Sequence, residues 1–218
     1  MKQKTLFVAA AVVMLLVFVV GVLLYTAQKK EQTTQRVDDN RSALVRMHSP
    51  AIGPADASVV IVEFFDPACG TCSAFYPLVK DILASHPDRI RLVLRYAPFH
   101  AGSDKVVAVL EAARKQGKFW PALEALLASQ NDWVSNHIAQ VDRVWPHLEG
   151  LGLNLDQMRA DMNSPAIADL IAQDMADVES LKVSMTPEFF VNGKPLPSFG
   201  HEQLRVLVAD ELNETQRP

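Results

Sequence analysis

Residues 59–79, VVIVEFFDPACGTCSAFYPLV, constrain this chain more than any other stretch. The apolar, largely β-branched run 59–65 predicts a buried strand. Asp66-Pro67 breaks it, and Cys69-Gly70-Thr71-Cys72 follows. Phe75, Leu78, Val79, Ile82 and Leu83 then recur at helical spacing. The two cysteines therefore belong where a strand hands over to a helix, with Cys69 at the helix's N-terminal end. Unpaired N–H groups and the positive end of the helix dipole stabilise an anion there, so the Cys69 thiol is expected to ionise readily and to be accessible. Cys72, one turn further in, is expected to be shielded and close enough to pair with it.

These two are the only cysteines among 218 residues, so no wider disulfide framework and no four-cysteine zinc site can form. His137, His147 and His201 lack ligand spacing, and no metal or other cofactor is expected. At 49% hydrophobic and 21% charged the composition is that of a globular chain. With a formal net charge of −4 and no basic stripe, nucleic acid is not an expected partner.

In order along the chain, residues 6–25 carry no charge and are long enough to cross an apolar bilayer core of about 30 Å as a helix. The run exceeds the usual core of a cleaved signal peptide, and Tyr25 stands where a small residue is wanted for cleavage. An inner-membrane anchor over 1–27 is expected, followed by a polar tether over 28–43. Basic residues on the two sides (Lys2 and Lys4 before; Lys29, Lys30, Arg36 and Arg41 after) by count place the C-terminal side in the cytoplasm. Pro50, Gly53 and Pro54 predict an irregular lead-in with at most a short edge strand. Residues 90–96 read as a second strand, parallel to the first through the intervening helix. Residues 102–183 are helical in pattern, with Trp133 and Trp145 as packing residues, Asn154 to Gln157 resembling a capping box, and Ser164-Pro165 an N-cap followed by a first-turn proline. Phe189-Phe190-Val191, Asn192-Gly193 and Lys194 predict a hairpin, and 200–212 a final amphipathic helix. His100 is read as a surface loop histidine.

Glu63 interrupts an otherwise apolar strand. It is either an edge position facing water or a buried acid of raised pKa able to exchange a proton with Cys72.

The strand, the Cys-Gly-Thr-Cys motif and helix, Glu63 six residues before Cys69, Pro77 five after Cys72, and the distant Met185-Thr186-Pro187-Glu188-Phe189 together resemble the thioredoxin superfamily, and within it the DsbA-like thiol–disulfide oxidoreductases. The resemblance covers most of the chain after Leu44. It implies an α/β thioredoxin fold over 44–218 with an all-helical insertion at about 101–183. It also implies a cis Thr186–Pro187 bond beside the cysteines. By the same resemblance, Cys69, Cys72, Glu63 and Pro187 are catalytic, and Thr186, Gly70 and Thr71 face the substrate. The expected partners are proteins with cysteines or disulfides and a membrane redox partner that recycles the pair. The resemblance also favours a periplasmic catalytic domain over the orientation given by the basic-residue count. Thr71 replaces the histidine usual in strongly oxidising members, which predicts a weaker oxidant. Two other readings of the same pair are a Cu(I) carrier and a non-catalytic docking protein.

Overall fold

The computed structural model describes residues 43–215 continuously, together with Met14, Phe18, Val20, Gly21 and Tyr25. The chain divides into two compact units, Met1–Asn40 and Arg41–Pro218. Among the described residues no helix is long and apolar enough to cross a membrane. The expected anchor and tether lie otherwise outside the described residues.

In the second unit a five-stranded sheet has the order β1-β3-β2-β6-β7. Its strands are β1 (Ala51–Ile52), β2 (Val59–Phe65), β3 (Ile90–Tyr96), β6 (Glu188–Val191) and β7 (Lys194–Pro195). Strand β2 runs parallel to β3, joined by helix α1 (Gly70–Ser85), and antiparallel to β6. With neighbours on both sides and helices over its faces, β2 is buried at six of seven positions. That explains a continuous apolar run rather than an alternating one. Asn192 and Gly193 both have positive φ (49° and 84°), as a two-residue hairpin turn requires, and the Asn192 side chain adds a bond to the Val60 N–H at 2.9 Å.

The insertion contains α2 (Ser103–Lys115), α3 (Phe119–Ala128), the short α4 (Gln130–Trp133), α5 (Leu155–Asp161) and α6 (Pro165–Leu181). It is not all-helical as expected. Strands β4 (Val134–Ser135) and β5 (Ile138–Ala139) form a small hairpin, turned by Asn136 and His137 at φ 51° and 61°. Asn-His lacks the glycine that usually marks such a turn. Trp133 is fully buried, with Nε1 donating to the Leu126 carbonyl at 2.9 Å. Asn154 caps α5 by accepting from the Gln157 N–H, but its own N–H goes to Gln116 rather than back to Gln157. Ser164 precedes Pro165 as expected yet makes no side-chain cap bond. Helix α7 (His201–Glu214) closes the fold over β2 and β6.

One set of interactions had no counterpart in the sequence pattern. Arg95 on β3 is fully buried and pairs with Asp174 (2.8 Å) and Asp177 (2.5 Å) on α6, and its guanidinium also donates to the Ala43 and Leu44 carbonyls. Asp174 accepts further from the Tyr96 N–H and lies 2.7 Å from His48, while Asp177 pairs with Arg46. The charges bind the lead-in, β3 and α6 into one unit.

Removing Arg95 leaves the fully buried Asp174 without its guanidinium partner. Arg95→Leu is expected to cost about 3–5 kcal/mol in denaturant unfolding; a loss below 1 kcal/mol would show the cluster to be solvated. Gly70 offers a test of opposite sign. It is the first residue of α1, its preceding residue Cys69 has φ −77° and ψ 116°, and a Cβ there would meet only Gln130 Oε1 at 3.9 Å. Proline suits that position on every count. Gly70→Pro should stabilise the reduced protein by about 0.4–1 kcal/mol, read as a shift in the unfolding midpoint; destabilisation would mean that Gly70 needs its freedom.

Candidate active site

The site forms where β2 ends. Asp66 starts a turn closed by the Cys69 N–H donating to the Asp66 carbonyl (3.0 Å), and Cys69 is then the N-cap of α1. Its side chain takes the role a serine or aspartate usually plays at such a position: Sγ accepts from the Cys72 N–H at 3.4 Å. On its other side Sγ lies 3.2 Å from the Thr186 carbonyl, to which the thiol donates. Both thiols are free. Cys69 was expected to be exposed, but only 6% of it is, because the 184–187 loop packs against the sulfur; Gly70, Thr71 and Ala74 around it are open to solvent.

The two sulfurs have opposite proton affinities. The Cys69 thiol is pulled down to about 5, first by the hydrogen bond from the Cys72 thiol, against the opposing effect of burial, and then by bonds from the Thr186 side chain and from the N–H groups of Cys72 and Thr71. The helix N-terminus thus contributes as expected, but the neighbouring thiol contributes more. Cys72 is fully buried and is pushed well above its ordinary value, by desolvation first and then by donating to Cys69 and by the charge of Glu63.

Of the two readings of Glu63, the structure has the buried one. It sits on the central strand between Leu94 and Phe189, 1% exposed, with Oε2 lacking a partner. Burial, and then the charge of Cys69, raise its pKa to about 8. The Thr186–Pro187 bond is cis, as expected, and Pro187 is buried. Pro187 lines a cleft of about 190 Å³ with Met185, Phe189, Leu196 and Phe199, of which Met185 and Phe199 are exposed apolar side chains. Cys69, Cys72, Thr186 and Glu63 are thus brought together, with Gly70 and Thr71 at the rim. Among the described residues no cluster of three or more His, Cys, Asp or Glu suits a metal ion.

Two side chains at the site were not singled out from sequence. Asp66 is fully buried; Oδ1 accepts from the Ala68 N–H and the Ser103 hydroxyl, and Oδ2 from both the N–H and Nδ1 of His100. His100 is therefore not a free surface histidine: its ring is anchored to this carboxylate and stacks on His137. The Asp-Pro pair signalled the strand break but gave no hint of the partner 34 residues away. Gln130 of α4 is buried and donates to the Pro67 and Cys69 carbonyls. A lone glutamine in a helical stretch carried no sequence signal.

Comparison with known proteins agrees with this geometry. The chain resembles a thioredoxin-like oxidoreductase from Silicibacter pomeroyi at 29% identity and TM-score 0.68, over 82% of this chain and 98% of that one. It shares the fold of the thiol–disulfide exchange protein alpha-DsbA2 from Wolbachia pipientis at 19% identity and TM-score 0.68, over 84% and 97%. It is also 31% identical over 144 residues to a Na+/H+ antiporter, NhaA, of Herminiimonas arsenicoxydans, covering 66% of this chain but 22% of that protein; the chain spans about a fifth of such relatives' length. A family model described as Thioredoxin matches residues 46–210. With that match over most of its length, this chain belongs to the thioredoxin family, and its fold is that of the DsbA-like thiol–disulfide oxidoreductases.

Proposed function

We propose that the chain exchanges disulfides with protein cysteines through Cys69 and Cys72. The observation that carries this reading is the split in acidity: an acidic Cys69 sulfur at the start of α1, and a buried, proton-retaining Cys72 in contact with it. At neutral pH Cys69 is a thiolate and attacks one sulfur of a substrate disulfide. The substrate's other sulfur departs with the electron pair, leaving a mixed disulfide on Cys69. Cys72 then loses its proton and displaces the substrate sulfur, closing the Cys69–Cys72 disulfide. Two thiols form on the substrate and two are consumed here. Oxidation of substrates is the same sequence reversed. Glu63 is the group placed to take the Cys72 proton, since its pKa of about 8 lets it both accept and release one near neutrality. Extended substrate segments lie along the Thr186–Pro187 loop, with Gly70 and Thr71 at their edge.

We further propose that residues 6–25 anchor the chain in the inner membrane with residues 44–218 in the periplasm, recycled by a membrane redox partner. The uncharged run supports the anchor. The likeness of one segment of antiporter relatives to this domain supports placing it beside a membrane. An alkaline phosphatase fusion after Val45 should be active; an inactive fusion reverses the orientation.

The alkylation rate of the reduced protein should titrate with a midpoint near pH 5 at Cys69, while Cys72 stays unreactive. A midpoint near 8.5, that of an ordinary cysteine, would remove the exchange reading. Cys72→Ser should accumulate mixed disulfides with substrate proteins. Glu63 gives an independent check. Its folded pKa is raised, so its ionisation opposes folding progressively from about pH 4.5, the ordinary value, to about pH 8, the folded one. Glu63→Gln should therefore leave stability almost unchanged at pH 4 and stabilise the reduced protein increasingly up to about pH 8, followed by denaturant midpoints. It should also slow closure of the disulfide while sparing the first attack. A pH-independent difference in stability would mean Glu63 is hydrated.

A further inference from the structure

The insertion touches the active-site turn through a side chain with no part in the exchange chemistry. Gln130 begins α4 and is 9% exposed. Its Nε2 donates to the Pro67 carbonyl at 2.8 Å and the Cys69 carbonyl at 3.1 Å, both in the turn that carries the attacking sulfur. Such carbonyls, turned toward the insertion, need a donor. The turn itself is poor in donors because Pro67 has no N–H. The clamp rests on a rigid base, since Trp133 at the other end of α4 is fully buried and bonded to Leu126. From the opposite side Asp66 fixes the same turn through Ala68, His100 and Ser103.

Resting on the reading of Cys69 as the attacking sulfur, we infer that Gln130 is a positioning residue: by holding the Pro67 and Cys69 carbonyls it keeps the sulfur aimed at the donors that begin α1, so the insertion tunes the reactivity of the cysteine. The main-chain bond to the sulfur is long, 3.4 Å from the Cys72 N–H, so a small shift of Cys69 loses it. Among the described residues no other donor meets the Pro67 carbonyl, whereas the Cys69 carbonyl has the Ser73 N–H at 3.2 Å as its helical partner. The Pro67 bond is the one whose loss frees the turn. Gln130 Oε1 lies 3.9 Å from where a Gly70 side chain would begin, so the same amide also bounds the dipeptide between the cysteines.

The test uses Gln130→Met, close in shape but without donors, and Gln130→Asn, which keeps the amide on a stem too short to reach. The full-length reduced protein is alkylated across a pH series. Both variants should move the Cys69 midpoint upward by at least half a unit, a roughly threefold loss of rate at a pH below the midpoint, and should lower the oxidising power of the pair. Leu123→Ala, in the core of the insertion and away from the turn, should weaken the fold and leave the midpoint in place. An unchanged midpoint in a folded Gln130 variant overturns the inference, and so does an equal shift in Leu123→Ala. If Gln130→Met does not fold, Gln130→Asn decides on the same terms. Failure of the exchange reading looks different: the protein would not exchange disulfides at all, while the midpoint still moved with Gln130.

Discussion

Near neutral pH the apolar ground beneath α1 favours a single negative charge. Cys69, Cys72 and Glu63 are three acids within one set of mutual influences: Cys69 is lowered, Cys72 and Glu63 are raised, and each raised group is raised partly by the charge on another. Two like charges in a poorly solvated site cost several kcal/mol, so protonation of one favours ionisation of the next. The charge settles on Cys69 because only that sulfur meets donors at the start of the helix. Cys72, one turn on and fully buried, keeps its proton and spends it as a hydrogen bond to its neighbour. The same bond lowers one thiol and raises the other.

Holding that arrangement is the work of polar groups that add little to stability in themselves. A buried ion cluster such as Arg95–Asp174–Asp177 is often no more stabilising than apolar residues of equal volume. Its effect here is to specify: it ties the lead-in to β3 and α6, and its Asp174 also receives the Tyr96 N–H, just where the strand ends. Asp66 repeats the device one strand over. Its carboxylate joins the turn after β2 to the loop after β3, so the ends of the two parallel strands move as one body. Apolar packing sets the layers of the fold, whereas these carboxylates set the position of the turn within them.

How much of this could be read from the sequence follows from the range of each interaction. The strand–turn–helix about Cys69, the second strand and the Asn192-Gly193 hairpin were legible because their signals are local: period, a turn dipeptide, a break. The cis bond at Pro187 and the burial of Glu63 needed the family resemblance or the fold, because neither proline nor a single acid on a strand declares its surroundings. Asp66–His100, Gln130–Pro67 and Arg95–Asp174 were not legible. Their partners lie 34, 63 and 79 residues apart, and each residue taken alone reads as a loop acid, a helix surface amide or a strand-edge cation. The hairpin inside the insertion was missed for a local reason, since Asn136 and His137 adopt positive φ without the glycine that would have marked them.

The dipeptide between the cysteines is Gly70-Thr71. Gly70 has no side chain, and Thr71 contributes to the Cys69 sulfur only through its main-chain N–H. No side chain of the dipeptide holds the thiolate; its donors are the Cys72 thiol, the Thr186 side chain and the main-chain N–H groups of Thr71 and Cys72 at the helix start. A histidine within the dipeptide would add a cation beside the sulfur and stabilise the reduced form further. Without one, the Cys69 pKa of about 5 falls between the ~7 of thioredoxin and the ~3.5 of DsbA. Thiolate stability and oxidising power rise together, because a stable thiolate is a good leaving group and a favourable product of reduction. On the exchange reading, a pair tuned this way is an oxidant of middle strength, able to run in either direction.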